Sequence, residues 1–234
     1  MNSNRAVRHF TATVALALAL ALLAVPAWAG RPLITEDAGV LEAGQCEIES
    51  YLARLHHPGL TFQWAQIGCG IGLQTQLAAG AGREMSSSGH VTVAAASGKT
   101  ALRQLTAEQA GIAIAYATLG GNHSDHLRHE SDEVKAVLTI PHDKWLLHAN
   151  AGWARNYASR ADKTIWALAL ERQQVFAAVD LMGEIVGDDR GTPLAQVAAR
   201  WTLIPARLVI DASWGAQIND TNIRQATVGL KLAF

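Results

Sequence analysis

Three histidines stand three residues apart, His123, His126 and His129, in the polar run Asn122-His123-Ser124-Asp125-His126-Leu127-Arg128-His129-Glu130. Imidazoles beside carboxylates at this spacing are able to ligate zinc or copper. The run falls in what reads as the longest loop of the chain, where solvated polar side chains are the ordinary content, so these are weak metal candidates and no metal is assigned. His148, Asp211 and Ser213 have the residue types of a hydrolytic triad, but Asp211 and Ser213 only alternate along one segment and no motif fixes their geometry. A glycine-rich phosphate loop, a Cys-x-x-Cys pair and a His-Glu-x-x-His sequence are all missing. The residues point away from an enzyme and imply no cofactor.

A larger set of charges shares a different property. Glu47, Glu49, Lys135, Glu171, Asp180, Glu184, Arg200, Arg207, Asp211 and Lys231 each occupy the polar phase of an alternating segment. Charges gathered on one side of a set of strands select polar solutes if that side lines an open passage. In a narrow barrel they pair with one another and fill it.

The elements that position these residues are strands. From Gly44 onward the hydropathy repeats with period two, in segments of about ten residues broken by polar or glycine-containing stretches. In the last segment Ala226, Val228, Leu230, Leu232 and Phe234 share one face and Gln225, Thr227, Gly229 and Lys231 the other. The pattern predicts twelve strands, with ten to fourteen as the range: 45–55, 60–68, 71–83, 89–105, 108–119, 132–140, 145–156, 163–172, 175–186, 193–204, 206–218 and 222–234. Connections after the odd-numbered segments read as long, with 120–131 the longest, and those after the even ones as short. That alternation is expected of outer-membrane barrels.

Register places the two cysteines. If residues 56–59 form a four-residue hairpin connection, Leu55 faces Leu60, and counting back sets Cys46 opposite Cys69. Cα atoms about 4.5 to 5.5 Å apart are within disulfide range, and an exported chain meets an oxidising compartment.

Export is read from the first 29 residues: Arg5 and Arg8, an apolar run from Thr11 to Val25, and the small-x-small end Ala27-Trp28-Ala29. The expected organisation is a signal peptide at 1–29, a periplasmic N-terminal segment at 30–44, and a barrel at 45–234. No later stretch is long and apolar enough for a transmembrane helix. Charged residues make up 17 % of the chain, below the roughly 25 % usual in soluble domains. The net charge of −1 and the lack of a basic stripe exclude nucleic acid as a partner.

The segment Arg31-Pro32-Leu33-Ile34-Thr35-Glu36-Asp37-Ala38-Gly39, followed by Gly44-Gln45-Cys46-Glu47-Ile48-Glu49, resembles the start of the outer-membrane family associated with the meta-cleavage pathway of phenol degradation. Ala117-Thr118-Leu119-Gly120-Gly121 departs from that family, many of whose members carry Pro-Thr-Gly-Asp after a central strand. The resemblance implies a barrel transporter and names no substrate.

A sheet spans lipid only when it closes on itself, because hydrocarbon cannot satisfy exposed backbone groups. The expected fold is therefore an all-β, closed antiparallel up-and-down transmembrane barrel in a bacterial outer membrane, with membrane lipid around it. The C-terminal strand ending at Phe234 would engage the barrel-assembly machinery. Trp145, Trp201 and Phe234 would mark one rim, and Trp153, Trp166 and Trp214 the other, as an aromatic girdle requires. The function read from this is passive passage of small apolar or aromatic molecules. The alternatives are a soluble periplasmic barrel of the lipocalin type, with its apolar face inward around a ligand, and a structural barrel without transport.

Overall fold

The computed structural model describes residues 32–57, 59–87, 89–123 and 126–234. The expected signal peptide lies outside the described residues. Twelve strands follow one another: β1 (Cys46–Leu55), β2 (Leu60–Gly72), β3 (Thr75–Ser86), β4 (Gly89–Arg103), β5 (Gly111–His123), β6 (His126–His142), β7 (Trp145–Asn156), β8 (Ala161–Phe176), β9 (Val179–Asp188), β10 (Leu194–Ile204), β11 (Leu208–Gln217) and β12 (Arg224–Ala233). Each pairs antiparallel with its neighbour in sequence, and β1 pairs with β12 to close the barrel. The seam is finished by reciprocal bonds of 2.9 Å between the backbones of Cys46 and Phe234. The predicted strand count and up-and-down order hold.

Period-two alternation has the meaning that a closed wall gives it. Ile48, Leu52, Ile67, Leu168, Leu170, Leu181, Val228, Leu230 and Leu232 are exposed on the outside, whereas Glu47, Glu171, Glu184 and Arg200 are buried inside. That polarity is the reverse of the lipocalin arrangement, in which apolar side chains face inward. Trp145, Trp153, Trp166, Trp201, Trp214 and Phe234 are likewise exposed. Trp145 opens β7 beside the 143–144 turn, at the end where Phe234 follows β12, and Trp153 lies near the far end of the same strand.

Cys46 and Cys69 are directly opposed in the β1–β2 register and form a disulfide with Cα atoms 4.1 Å apart. The flanking pairs Ile48 with Ile67 and Glu49 with Gln66 match the register that the hairpin length predicts.

Several boundaries differ from the expectation. The predicted long loop at 120–131 is a hairpin: β5 continues to His123 and β6 starts at His126, with a register shift at Leu119/Gly120. Strand backbone beyond the exposed apolar band needs no apolar alternation, so hydropathy is silent there. The longest connection is instead 104–110, at the end expected to carry short turns. Its chain is turned by Thr106, whose hydroxyl accepts the Gln109 N–H at 3.0 Å. The β2–β3 turn lies at Leu73 and Gln74, both with positive φ (51° and 56°), and not near Gly70.

Candidate functional site

The barrel encloses its own N-terminal segment. Residues 32–44, the described part of the segment expected to be periplasmic, run inside it, held by side chains from six strands and by the backbone of a seventh. Ala43 bridges Gly70 on β2, and the Leu41 N–H donates to Gln76 Oε1 on β3 at 2.9 Å. On β4, Lys99 Nζ donates to the Asp37 carbonyl at 2.9 Å and to Glu36 Oε2 at 3.3 Å. The Ala38 N–H donates to Thr139 Oγ1 on β6 at 2.9 Å. Asn150 on β7 makes a two-way pair with Glu36, accepting its N–H at 2.7 Å and donating to its carbonyl at 2.9 Å. Glu184 on β9 accepts the N–H groups of Ile34 and Thr35 at 2.9 Å each, and the Thr35 hydroxyl at 2.6 Å. On β10, Gln196 Nε2 donates to the Pro32 carbonyl at 3.2 Å and to Glu184 Oε1 at 2.8 Å.

Apart from the bridge at Ala43 the segment has no sheet pairing, so its backbone must find partners elsewhere, and the inner polar face supplies them. Small residues let it approach: Ala38, Ala113, Ala115 and Val137 form one buried cluster, and Leu33, Ala169, Met182 and Ala198 another. Gly70 explains itself in the same way. A Cβ there would lie 2.1 Å from the Glu42 carbonyl oxygen, so only glycine lets the chain cross β2 on its way in.

Charges below and beside this segment pair with one another. Arg200 Nη1 reaches Glu171 Oε1 at 3.1 Å and Asp180 Oδ2 at 3.7 Å, with His148 Nε2 3.8 Å from Glu171. Lys231 Nζ lies 3.4 Å from Glu47 and 4.0 Å from Glu49, and Lys135 pairs with Glu133 at 2.6 Å. Above the segment a cavity of about 660 Å³ remains, floored by residues 32–36 and walled on β1 and β2 by Tyr51, Phe62 and Trp64. Phe62 and Trp64 stack with ring centroids 5.9 Å apart, and Tyr51 sits 5.8 Å from Phe62. Trp64 Nε1 donates to Gln66, which donates to Glu49.

The sequence matches the model of the family described as uncharacterised conserved protein UCP029691 over residues 17–234. The chain belongs to this family. No curated protein matches it. Among solved structures it is similar to the KdgM porin, with a TM-score of 0.59 and 7 % identity over 80 % of this chain and 99 % of that one. The KdgM porin in complex with disordered oligogalacturonate gives 0.58 and 8 % over the same shares. The NanC porin gives 0.55 and 6 % over 81 % of this chain and 98 % of that one. What these porins share with this member of the family is the barrel fold.

In this family member nine of the ten charges expected inside are found there, all buried except the half-buried Lys135. Arg207 is the exception. It sits in the exposed turn 205–207, where its N–H donates to the Ile204 carbonyl at 3.0 Å, because the turn uses it up before the alternation of β11 begins at Leu208. His148, Asp211 and Ser213 do face inward, yet His148 bonds Thr139 at 3.0 Å and Ser213 bonds Thr227, so each hydroxyl and imidazole is engaged away from the others. His126 is exposed, and His129 is occupied by Asp132 at 2.9 Å and Thr118 at 3.0 Å on the outer surface. The His123 side chain lies outside the described residues. Hydropathy did not reveal Gln76, Thr139, Asn150 and Gln196 as ligands of the inner segment. Uncharged hydrogen-bonding side chains on the inner face of four different strands were the available signal.

Proposed function

We propose that the protein is an outer-membrane barrel that passes small solutes by diffusion along its lumen, with residues 32–44 as a constriction that sets the passage. The observation that carries this reading is the polarity of the closed wall: large apolar side chains outside, charges and amides inside. An exterior of that kind is stable in hydrocarbon and not in water. The export signal, the barrel-assembly role of the last strand and the surrounding lipid belong to the same proposal. The resemblance of residues 31–39 to the phenol meta-pathway family adds aromatic molecules as a solute class, and Tyr51, Phe62 and Trp64 offer them a matching wall.

Expression and fractionation test the membrane part. Recovery in detergent-extracted outer membrane, with gel mobility that changes on heating, supports it, and release as a soluble periplasmic protein overturns it. Liposome swelling with sugars of graded size tests the passage. Swelling that stays at the protein-free rate for the smallest sugar, in the native chain and in a chain lacking residues 32–44, favours a structural barrel.

A further inference from the structure

We propose that the cavity above the inner segment is a binding site for small organic cations that carry an ammonium group. The proposal rests on the passage reading and names the solute class that its lumen prefers.

The charges that line the cavity are unequal. Glu36, Glu47, Glu49, Glu84 and Glu133 contribute carboxylates, and Lys99 and Lys135 are the ammonium groups among the lining residues. Lys99 is held by Glu36 and Asp37, Lys135 by Glu133, and Lys231 reaches Glu47 and Glu49 from one side. Glu84 has no ion-pair or hydrogen-bond partner among the described residues. Glu49 belongs to the same lining but is held in the wall, its Oε2 accepting from Gln66 and its Oε1 lying 4.0 Å from Lys231 Nζ, so Glu84 is the carboxylate left to a solute. Negative charge is thus left over where a solute would sit. Arg54, Arg83 and Arg224 do not offset it, since alternation places them on the outer face with Leu52, Ala81 and Ala226.

The second component is aromatic. Phe62 is the register partner of Glu84, so the unpartnered carboxylate and the aromatic wall adjoin on one face. The Phe62 and Trp64 rings lie 16° from parallel, and Trp64 is pressed flat on β3: a Cβ at Gly80 would stand 2.5 Å from its Cζ2. Glycine there lets the indole lie against the wall and leaves the cavity open. A cation over aromatic faces gains about 0.5 to 2 kcal/mol from the ring quadrupoles, and a neighbouring carboxylate adds direct attraction. A neutral solute of the same shape gains neither, and an anion meets repulsion.

The test uses the full chain folded in detergent and equilibrium dialysis of labelled choline, its uncharged isostere 3,3-dimethylbutan-1-ol, and benzoate. Choline is expected to bind at least about ten-fold tighter than the alcohol, equivalent to about 1.4 kcal/mol. Glu84→Gln and Trp64→Leu are each expected to weaken choline about five-fold, while Glu108→Gln in the exposed 104–110 connection leaves it unchanged. Circular dichroism confirms that each variant keeps its strands. Equal binding of choline and the alcohol, tighter binding of benzoate, no choline bound at about 10 mM, or an unaffected Glu84→Gln variant overturns the proposal. Choline bound without solute flux in liposomes would sink the passage reading and leave the site. Flux with no preference for choline would sink the site alone.

Discussion

Glu184 grips Thr35 from across the barrel, its Oε2 accepting both the backbone N–H at 2.9 Å and the hydroxyl at 2.6 Å. Because the same carboxylate also takes the Ile34 N–H, Glu184→Ala leaves two backbone donors without their acceptor. Hydrogen bonds to charged groups are worth about 1.5 to 3 kcal/mol each. Amide hydrogen exchange at Ile34 and Thr35 should accelerate at least about ten-fold, and liposome swelling should quicken. Unchanged exchange in the variant would mean that the segment is held by its apolar contacts instead.

Acid should loosen the same segment through Glu36. Burial pushes this carboxyl up, but the Lys99 and Lys135 ammoniums and the hydrogen bond from Lys99 outweigh it and hold the group below its ordinary value of 4.5. A carboxyl depressed in the docked state contributes stability that is complete above pH 4.5 and is lost as pH falls through the docked value. Exchange at residues 34–38 should therefore show no Glu36 contribution near neutrality and rise in acid below that point. Glu36→Gln should flatten the acid limb, and an identical profile in both proteins would assign the response elsewhere.

Arg200 is the cation that lets Glu171 and Asp180 coexist in the wall. Arg200→Met strands two buried carboxylates, a loss of about 3 to 5 kcal/mol for a broken buried pair. The urea midpoint of the detergent-folded barrel should fall accordingly. Adding Glu171→Gln and Asp180→Asn should restore most of it, and a triple variant as weak as the single one would show that Arg200 acts through packing.

The Cys46–Cys69 bond closes 23 residues of sequence that the β1–β2 hairpin already aligns. Loop-closure entropy for a span of this size is about 3.4 kcal/mol, less whatever the hairpin retains in the unfolded chain. Cys46→Ser with Cys69→Ser should still fold, with a lowered urea midpoint and unchanged ligand preference. Failure to form any barrel would assign the bond a role in assembly.

Trp64 and Gly80 make a pair that tolerates little change. Gly80→Val puts methyls where the indole lies and forces it into the cavity, at about 1 to 3 kcal/mol for overpacking. Swelling with the larger permeant sugars should slow more than with the smallest, and uniform slowing would point to general destabilisation.

Alternation made the wall legible. Apolar phases in segments such as 206–218 and 222–234 gave strand number, facing and closure, and one assumed hairpin length gave Cys46 its partner. The inner segment was not legible, because its anchors join residues far apart in sequence, 35 positions for Leu41 with Gln76 and 149 for Thr35 with Glu184, and leave no local pattern. Arg207 misled because parity cannot be counted through a turn whose length is unknown. The aromatic wall was within reach: Tyr51 shares the phase of Glu47 and Glu49, and register carries Trp64 with it. The extended β5–β6 hairpin was hidden because polar strands and polar loops look alike wherever no hydrocarbon imposes a rhythm.

The seam between Cys46 and Phe234 has a consequence for synthesis. The edge opened by β1 is covered only by β12, so a nascent chain that has not yet reached β12 carries two raw margins able to capture foreign strands. Such a polypeptide has to be escorted unfolded until β12 is available, and a chain cut before that strand would leave a ribbon where a tube should be.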